Sequence, residues 1–218
     1  MIIEPAKRTQ CVREYYFSRK LKEIDKLNNS RVAEGKDKII NLGIGAPDGM
    51  PPADIVTYDL TEENGWQPDF EALEKTDLSG VKIMWTNYPH MPTGAKASAE
   101  LYQKIVDFGN KHNILIVNDN PYSFILNDNP LSILAAEGAK NCCLELNSLS
   151  KAHNMSGWRI GMVAGAKEII AEVLKVKSQM DSGMFKPMQL AAIQALAQGP
   201  EWFSALNAEY KIRRVAAG

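Results

Sequence analysis

The chain reads as an α/β domain built on a mostly parallel sheet, and three observations predict it. Residues 81–88, 114–118 and 142–146 are apolar runs of strand length. Helix-length stretches lie between them, so strand and helix alternate, as in parallel-sheet architectures. Polar residues with chemical capacity, Asp119 and Lys151 among them, follow directly on these runs. That edge is where open α/β sheets bind ligands.

Each element has its own warrant. An amphipathic helix is expected over residues 12–27, where Tyr15, Tyr16, Leu21, Ile24 and Leu27 recur among charges. Asn28, Asn29 and Ser30 end it. Residues 38–42 form a short apolar strand that exits through Gly43 and Gly45 into Pro47. Residues 55–60 read as another strand, and a turn at 63–66 precedes a short helix opened by Pro68 and Asp69. The strand at 81–88 leads into Pro89, Pro92 and Gly94. The helix over 98–110 takes Leu101, Tyr102, Ile105, Val106 and Phe108 as its apolar positions. The strand at 114–118 delivers Asp119 and Tyr122. A short helix over 130–137 precedes the strand at 142–146, the loop holding Lys151 and a further short strand at 160–164. A helix over 166–180 breaks at Asp181 to Gly183. A helical tail then runs from Pro187 towards Val215, interrupted near Gly199 and Pro200.

The bulk properties narrow the function classes. The 218 residues, 45% hydrophobic and 23% charged, have the composition of an ordinary globular protein. A formal net charge of -1 gives no attraction to nucleic acid or an anionic membrane surface. No apolar run approaches a membrane span, and the first residues lack the apolar core of a signal peptide. Two of three cysteines are adjacent, Cys142 and Cys143, which suggests buried thiols in a reducing compartment. The three histidines show no ligand spacing to them, so no metal site is expected. A cytoplasmic protein is the reading.

The chemistry concentrates in residues 148–161. A lysine amine can form a Schiff base with an aldehyde, and burial or neighbouring cations favour its reactive neutral form. Ser148, Ser150 and Arg159 have the hydroxyls and guanidinium to hold a phosphate dianion. Aldehyde plus phosphate points to pyridoxal 5'-phosphate (PLP). A lone lysine in a serine-rich turn is usually a solvated surface residue. Here Ser-x-Ser-Lys (148–151) and Gly-x-Arg-x-Gly (157–161) stand together between two strand-like runs. The pattern resembles the cofactor-lysine motif of the class I/II aminotransferases, the fold-type I PLP-dependent enzymes. The similarity runs from Asn41 to Arg159 and looks closest to their aspartate and LL-diaminopimelate aminotransferase branch.

The resemblance implies a fold-type I large domain and roles for further residues. Asp119 and Tyr122 match the family's Asp-x-x-Tyr. The carboxylate keeps the pyridine nitrogen protonated, making the ring an electron sink, and the phenol serves the ring 3'-oxygen. The segment around Gly45 resembles the family's substrate loop, where a glycine lets the substrate carboxylate approach the backbone. One position departs from the pattern. Met91 stands where the family's Asn-Pro-x-Gly has its asparagine, and a thioether donates no hydrogen bond. The lysine–cofactor imine is therefore expected to titrate at higher pH than in a Met91→Asn variant. Matching pH titrations of the visible absorbance check this, and equal midpoints would refute it.

The implied activity is amino transfer between an amino acid and a 2-oxo acid through a Lys151 Schiff base, in a homodimer. A PLP-dependent C–S lyase or decarboxylase on the same fold, or a non-catalytic PLP-fold ligand-binding domain, share these residues. Against the family pattern, a long segment with the phosphate-binding glycine loop is expected between Pro52 and Ile55, and a small domain beyond Gly218. The chain thus reads as incomplete; were it complete, the fourth reading would be an inactive fragment unable to hold the cofactor phosphate. Its parts are an N-terminal arm and substrate-loop segment (1–52), a large domain (53–186) and a helix leading towards the small domain (187–218).

Overall fold

The computed structural model describes residues 16–37, 54–181 and 183–217. The chain divides into two compact units, Met1–Val56 and Thr57–Gly218.

In the first unit the described element is helix α1 (Tyr16–Ala33). It runs through Asn28, Asn29 and Ser30, where the sequence suggested a stop, because side-chain propensity is a weak signal in mid-helix. The turn comes instead at Gly35, with a φ of 70°, and Arg31 Nε donates to Asp37 O at 2.7 Å beyond it. Tyr15 and Gly45 lie outside the described residues, as does the expected strand at 38–42.

The second unit holds α2 (Phe70–Leu73), β1 (Ile83–Asn87), α3 (Ala99–His112), β2 (Leu115–Asp119), α4 (Ala139–Cys142) and β3 (Cys143–Ser148). There follow α5 (Leu149–Ala152), β4 (Gly161–Gly165), α6 (Lys167–Met180), α7 (Lys186–Leu196) and α8 (Pro200–Ala217). The sheet order is β1-β2-β3-β4. The first two pairings are parallel and β3–β4 is antiparallel, so the mostly parallel sheet stands.

Residues 55–60 are not a strand. Ile55 and Val56 are exposed, and Tyr58 instead donates from its hydroxyl to Trp85 O at 2.6 Å. An apolar run becomes a strand only by pairing, and here only Tyr58 and Leu60 are half-buried, the burial of the Tyr58 ring raising its phenol pKa to about 12. The helix expected at 130–137 is a single 3-10 turn, Ile133–Ala135, and Cys142 ends α4, so the strand starts one residue later than read.

The core forms where α3 crosses the sheet. Ser98 caps α3, accepting from Leu101 N at 3.0 Å. Leu101, Tyr102, Ile105, Val106 and Phe108 then pack on Met84, Ile114, Ile116 and Cys143. Within this apolar layer lies a polar line. Thr86, Asn118 and Glu145 are register partners on β1, β2 and β3. Thr86 Oγ1 donates to Asn118 Oδ1 (3.0 Å), and Asn118 Nδ2 lies 3.3 Å from the Tyr102 hydroxyl and 3.4 Å from Glu145 Oε2. Glu145 Oε2 also accepts from Ile133 N at 3.0 Å. Such buried groups are tolerated because each has a partner.

Two details fix β3. Gly165 has a φ of 142°, and a Cβ there would fall 2.1 Å from Cys143 O, so only glycine closes the β3–β4 ladder. Beside it the buried thiols of Cys142 and Cys143 lie 3.7 Å apart, and burial pushes both pKa values up. Iodoacetamide at pH 8 is expected to label neither in the folded protein and both after denaturation. Peptide mass mapping reads the outcome, and rapid native labelling would contradict the buried placement.

Candidate active site

The parallel strands end level with one another. Asn87 lies opposite Asp119, and Asp119 opposite Leu146, with Ser148 two residues further along β3. One edge therefore receives the loop bearing Met91 from β1, Asp119 and Tyr122 from β2, and the lysine helix from β3.

Lys151 is the third residue of α5, the single turn that follows β3 directly. Ser148 caps this turn, accepting from Ser150 N at 3.1 Å, and its hydroxyl donates to Ser150 Oγ at 2.9 Å. The Lys151 Nζ stands over the Tyr122 ring, 5.8 Å from its centroid. Lys151 itself is exposed, not buried as the sequence reading allowed. Arg159 is exposed in a left-handed backbone conformation, with Nη1 donating to Ser156 O at 3.0 Å. The structure thus brings Ser148 and Ser150 together and turns the guanidinium onto its own loop.

Asp119 keeps an exposed edge, yet partial burial of its carboxyl raises its pKa above the ordinary aspartate value. The folded state holds the proton more tightly than the unfolded chain, so Asp119 lowers stability progressively as pH rises through its raised pKa. An Asp119→Asn variant is expected to match the parent at about pH 3 and to be slightly more stable at pH 7. Urea midpoints at both pH values measure this, and a less stable variant at pH 7 would contradict it.

Met91 is exposed, and among the described residues its side chain makes no polar contact. Its backbone N–H donates to Asn87 Oδ1 at 2.7 Å, while Asn87 Nδ2 donates to Asp119 O at 2.6 Å. Asn147 does the same one strand over, donating to Asn120 O at 2.9 Å. Two strand-end asparagines therefore lace the three loops together. Sequence reasoning passed over both as positioning residues. The available signal was an amide at the end of each parallel strand, where its side chain reaches the neighbouring loop.

An amine, a carboxylate, a phenol and two paired hydroxyls thus share one sheet edge. That donor set fits a group carrying an aldehyde, a pyridine nitrogen and a phosphate. Among the described residues no three His, Cys, Asp or Glu side chains cluster to hold a metal ion, and no helix is long and apolar enough to cross a membrane.

The chain resembles known proteins over most of its length. The sequence pattern of the family described as aminotransferase class I and II matches residues 50–216. The LL-diaminopimelate aminotransferase of Gloeobacter violaceus is 46% identical over 157 residues, 71% of this chain and 40% of the relative. That of Aquifex aeolicus is 42% identical over 160 residues, 72% of this chain and 41% of the relative. The solved apo-BacF structure from Bacillus subtilis superposes with a TM-score of 0.69 at 41% identity, over 72% of this chain and 40% of its own. An aspartate aminotransferase mutant of Thermus thermophilus gives 0.66 at 27% identity, over 73% and 42%. The chain spans about two fifths of the length of the curated relatives it matches. The family match over residues 50–216 and the likeness to these relatives and solved structures show that the chain belongs to the aminotransferase class I and II family, with the fold of the fold-type I enzymes.

Proposed function

We propose that the protein of which this chain forms part is a PLP-dependent aminotransferase, moving an amino group between an amino acid and a 2-oxo acid. The observation that carries the reading is the placement of Lys151 Nζ over the Tyr122 ring, beside Asp119 on one sheet edge. When bound, PLP supplies an electron sink conjugated to the substrate nitrogen. The chain's own residues do the rest. Lys151 Nζ would hold the aldehyde end of the cofactor and, when free, would carry a proton at the substrate α-carbon. Asp119 holds a proton at the pyridine nitrogen, whose positive charge would reverse the raised pKa of the carboxyl. Tyr122 donates to the ring 3'-oxygen beside Met91, which contributes no donor. Ser148, Ser150 and Arg159 hold the phosphate, with Arg159 leaving the Ser156 carbonyl to do so. Gly45 belongs to the substrate loop.

The named activity of the relatives makes LL-diaminopimelate the first amino donor to assay. The division into arm (1–52), large domain (53–186) and a connecting helical segment (187–218), which the structure splits into α7 and α8, belongs to the same proposal, as does homodimeric assembly, carried by the family resemblance. The buried free thiols of Cys142 and Cys143 support a reducing, cytoplasmic setting.

The test is an absorbance spectrum before and after adding PLP, followed by borohydride reduction and peptide mapping. A visible band fixed by reduction onto Lys151 supports the reading. No band with excess PLP, or label on another lysine, rejects it.

A further inference from the structure

Helix α8 touches both arms of the site at once, although none of its residues lies on the catalytic edge. Asn207 grips the loop after Tyr122: its Oδ1 accepts from Leu126 N at 2.8 Å and its Nδ2 donates to Phe124 O at 2.9 Å. Leu126 has a φ of 47°, a left-handed conformation that a leucine holds only when its surroundings fix it. Trp202 grips the other arm. Its Nε1–H donates to Ala152 O at 2.9 Å, the carbonyl of the residue after Lys151.

Between these two clamps sits Phe203. Its ring stacks on Phe124 at 4.6 Å and meets His153 edge-on at 5.5 Å. Phe124 is two residues beyond Tyr122, and His153 is two beyond Lys151. One aromatic ring therefore separates the two backbone segments that carry the lysine and the tyrosine. Leu149 and Met155 of the lysine segment are also buried against Met188, Ala191, Ala192 and Ala195 of α7. What α8 adds is a hydrogen bond to each segment and one ring in contact with both.

We infer that α8 is a strut setting the separation of Lys151 and Tyr122, with Asn207, Trp202 and Phe203 as positioning residues. The role in amino transfer rests on the function proposed above, while the mechanical link does not. A displacement at either clamp passes through Phe203 to the other loop. The lysine amine and the phenol it faces are then held at a distance that neither loop sets alone.

The experiment uses the complete protein and two variants that remove the clamping hydrogen bonds, Asn207→Leu and Trp202→Phe. Amide hydrogen exchange is followed in residues 120–127 and 149–155. Each variant is expected to speed exchange about fivefold or more in both segments, including the one its residue does not touch. Exchange that rises only in the segment directly contacted, or in neither, overturns the strut. With PLP added, the pH midpoint of the visible band is expected to shift in both variants. An unchanged midpoint overturns the positioning role even where thermal stability falls. If the unsubstituted protein takes up no PLP, the cofactor reading fails by itself and hydrogen exchange alone decides the strut.

Discussion

Alanine in place of Lys151 is expected to remove covalent attachment of the cofactor and to lower amino transfer by at least about 10⁴-fold. The loss combines a missing nucleophile with a missing proton carrier, and positioned acid–base groups alone contribute roughly 10²–10⁴. Folding should be almost unaffected. Lys151 is exposed on a one-turn helix, and the cap of that turn belongs to Ser148. Unchanged urea denaturation beside lost activity, with no cofactor fixed by borohydride, is the expected pair of results. Activity within about tenfold of the parent would remove Lys151 from the chemistry, because groups in that role are worth far more.

The largest stability effect is expected far from the reacting atoms, at Gly165→Ala. A methyl at this position meets Cys143 O at 2.1 Å and Leu144 Cα at 2.9 Å. Both are backbone atoms of β3, so no rotamer change relieves the contact. The residue must also keep a φ of 142°, which alanine rarely adopts. Overpacking and backbone strain together are expected to cost about 3 kcal/mol or more, against a total stability of roughly 5–15 kcal/mol. Chemical denaturation of the complete protein measures the difference. A loss below about 1 kcal/mol would mean that β4 can leave β3 freely.

Much of the fold was legible because periodicity speaks for elements that bury one face. Helix α3 is an example: Ser98 at its cap and five apolar positions predicted both its start and its inner face. Strands β1, β2 and β3 were likewise visible as short apolar runs. Residues 55–60 misled for a physical reason, since apolar composition marks a capacity to pair and pairing depends on a neighbour elsewhere in the chain. That Asp119, Tyr122 and Lys151 reach one sheet edge was legible, because each follows closely on an apolar strand run. Asn87, Asn147, Trp202 and Asn207 were not, because each acts on backbone distant in sequence. Asn207 and Leu126 are 81 positions apart, and nothing local to either announces the bond.

The line Thr86–Asn118–Glu145 acts as a key for how the strands align. It occupies the row of the sheet just before Asn87, Asp119 and Leu146. If β2 slid by one residue, Asn118 would turn to the opposite face, and the Tyr102 hydroxyl and Glu145 carboxylate would lose a shared partner inside an apolar layer. Apolar contacts alone would penalise such a shift weakly, since Ile and Val substitute for one another along these runs. The buried amide makes it costly. Asp119 therefore arrives level with its neighbours because of an error check one row beneath it, made by a residue that never meets substrate.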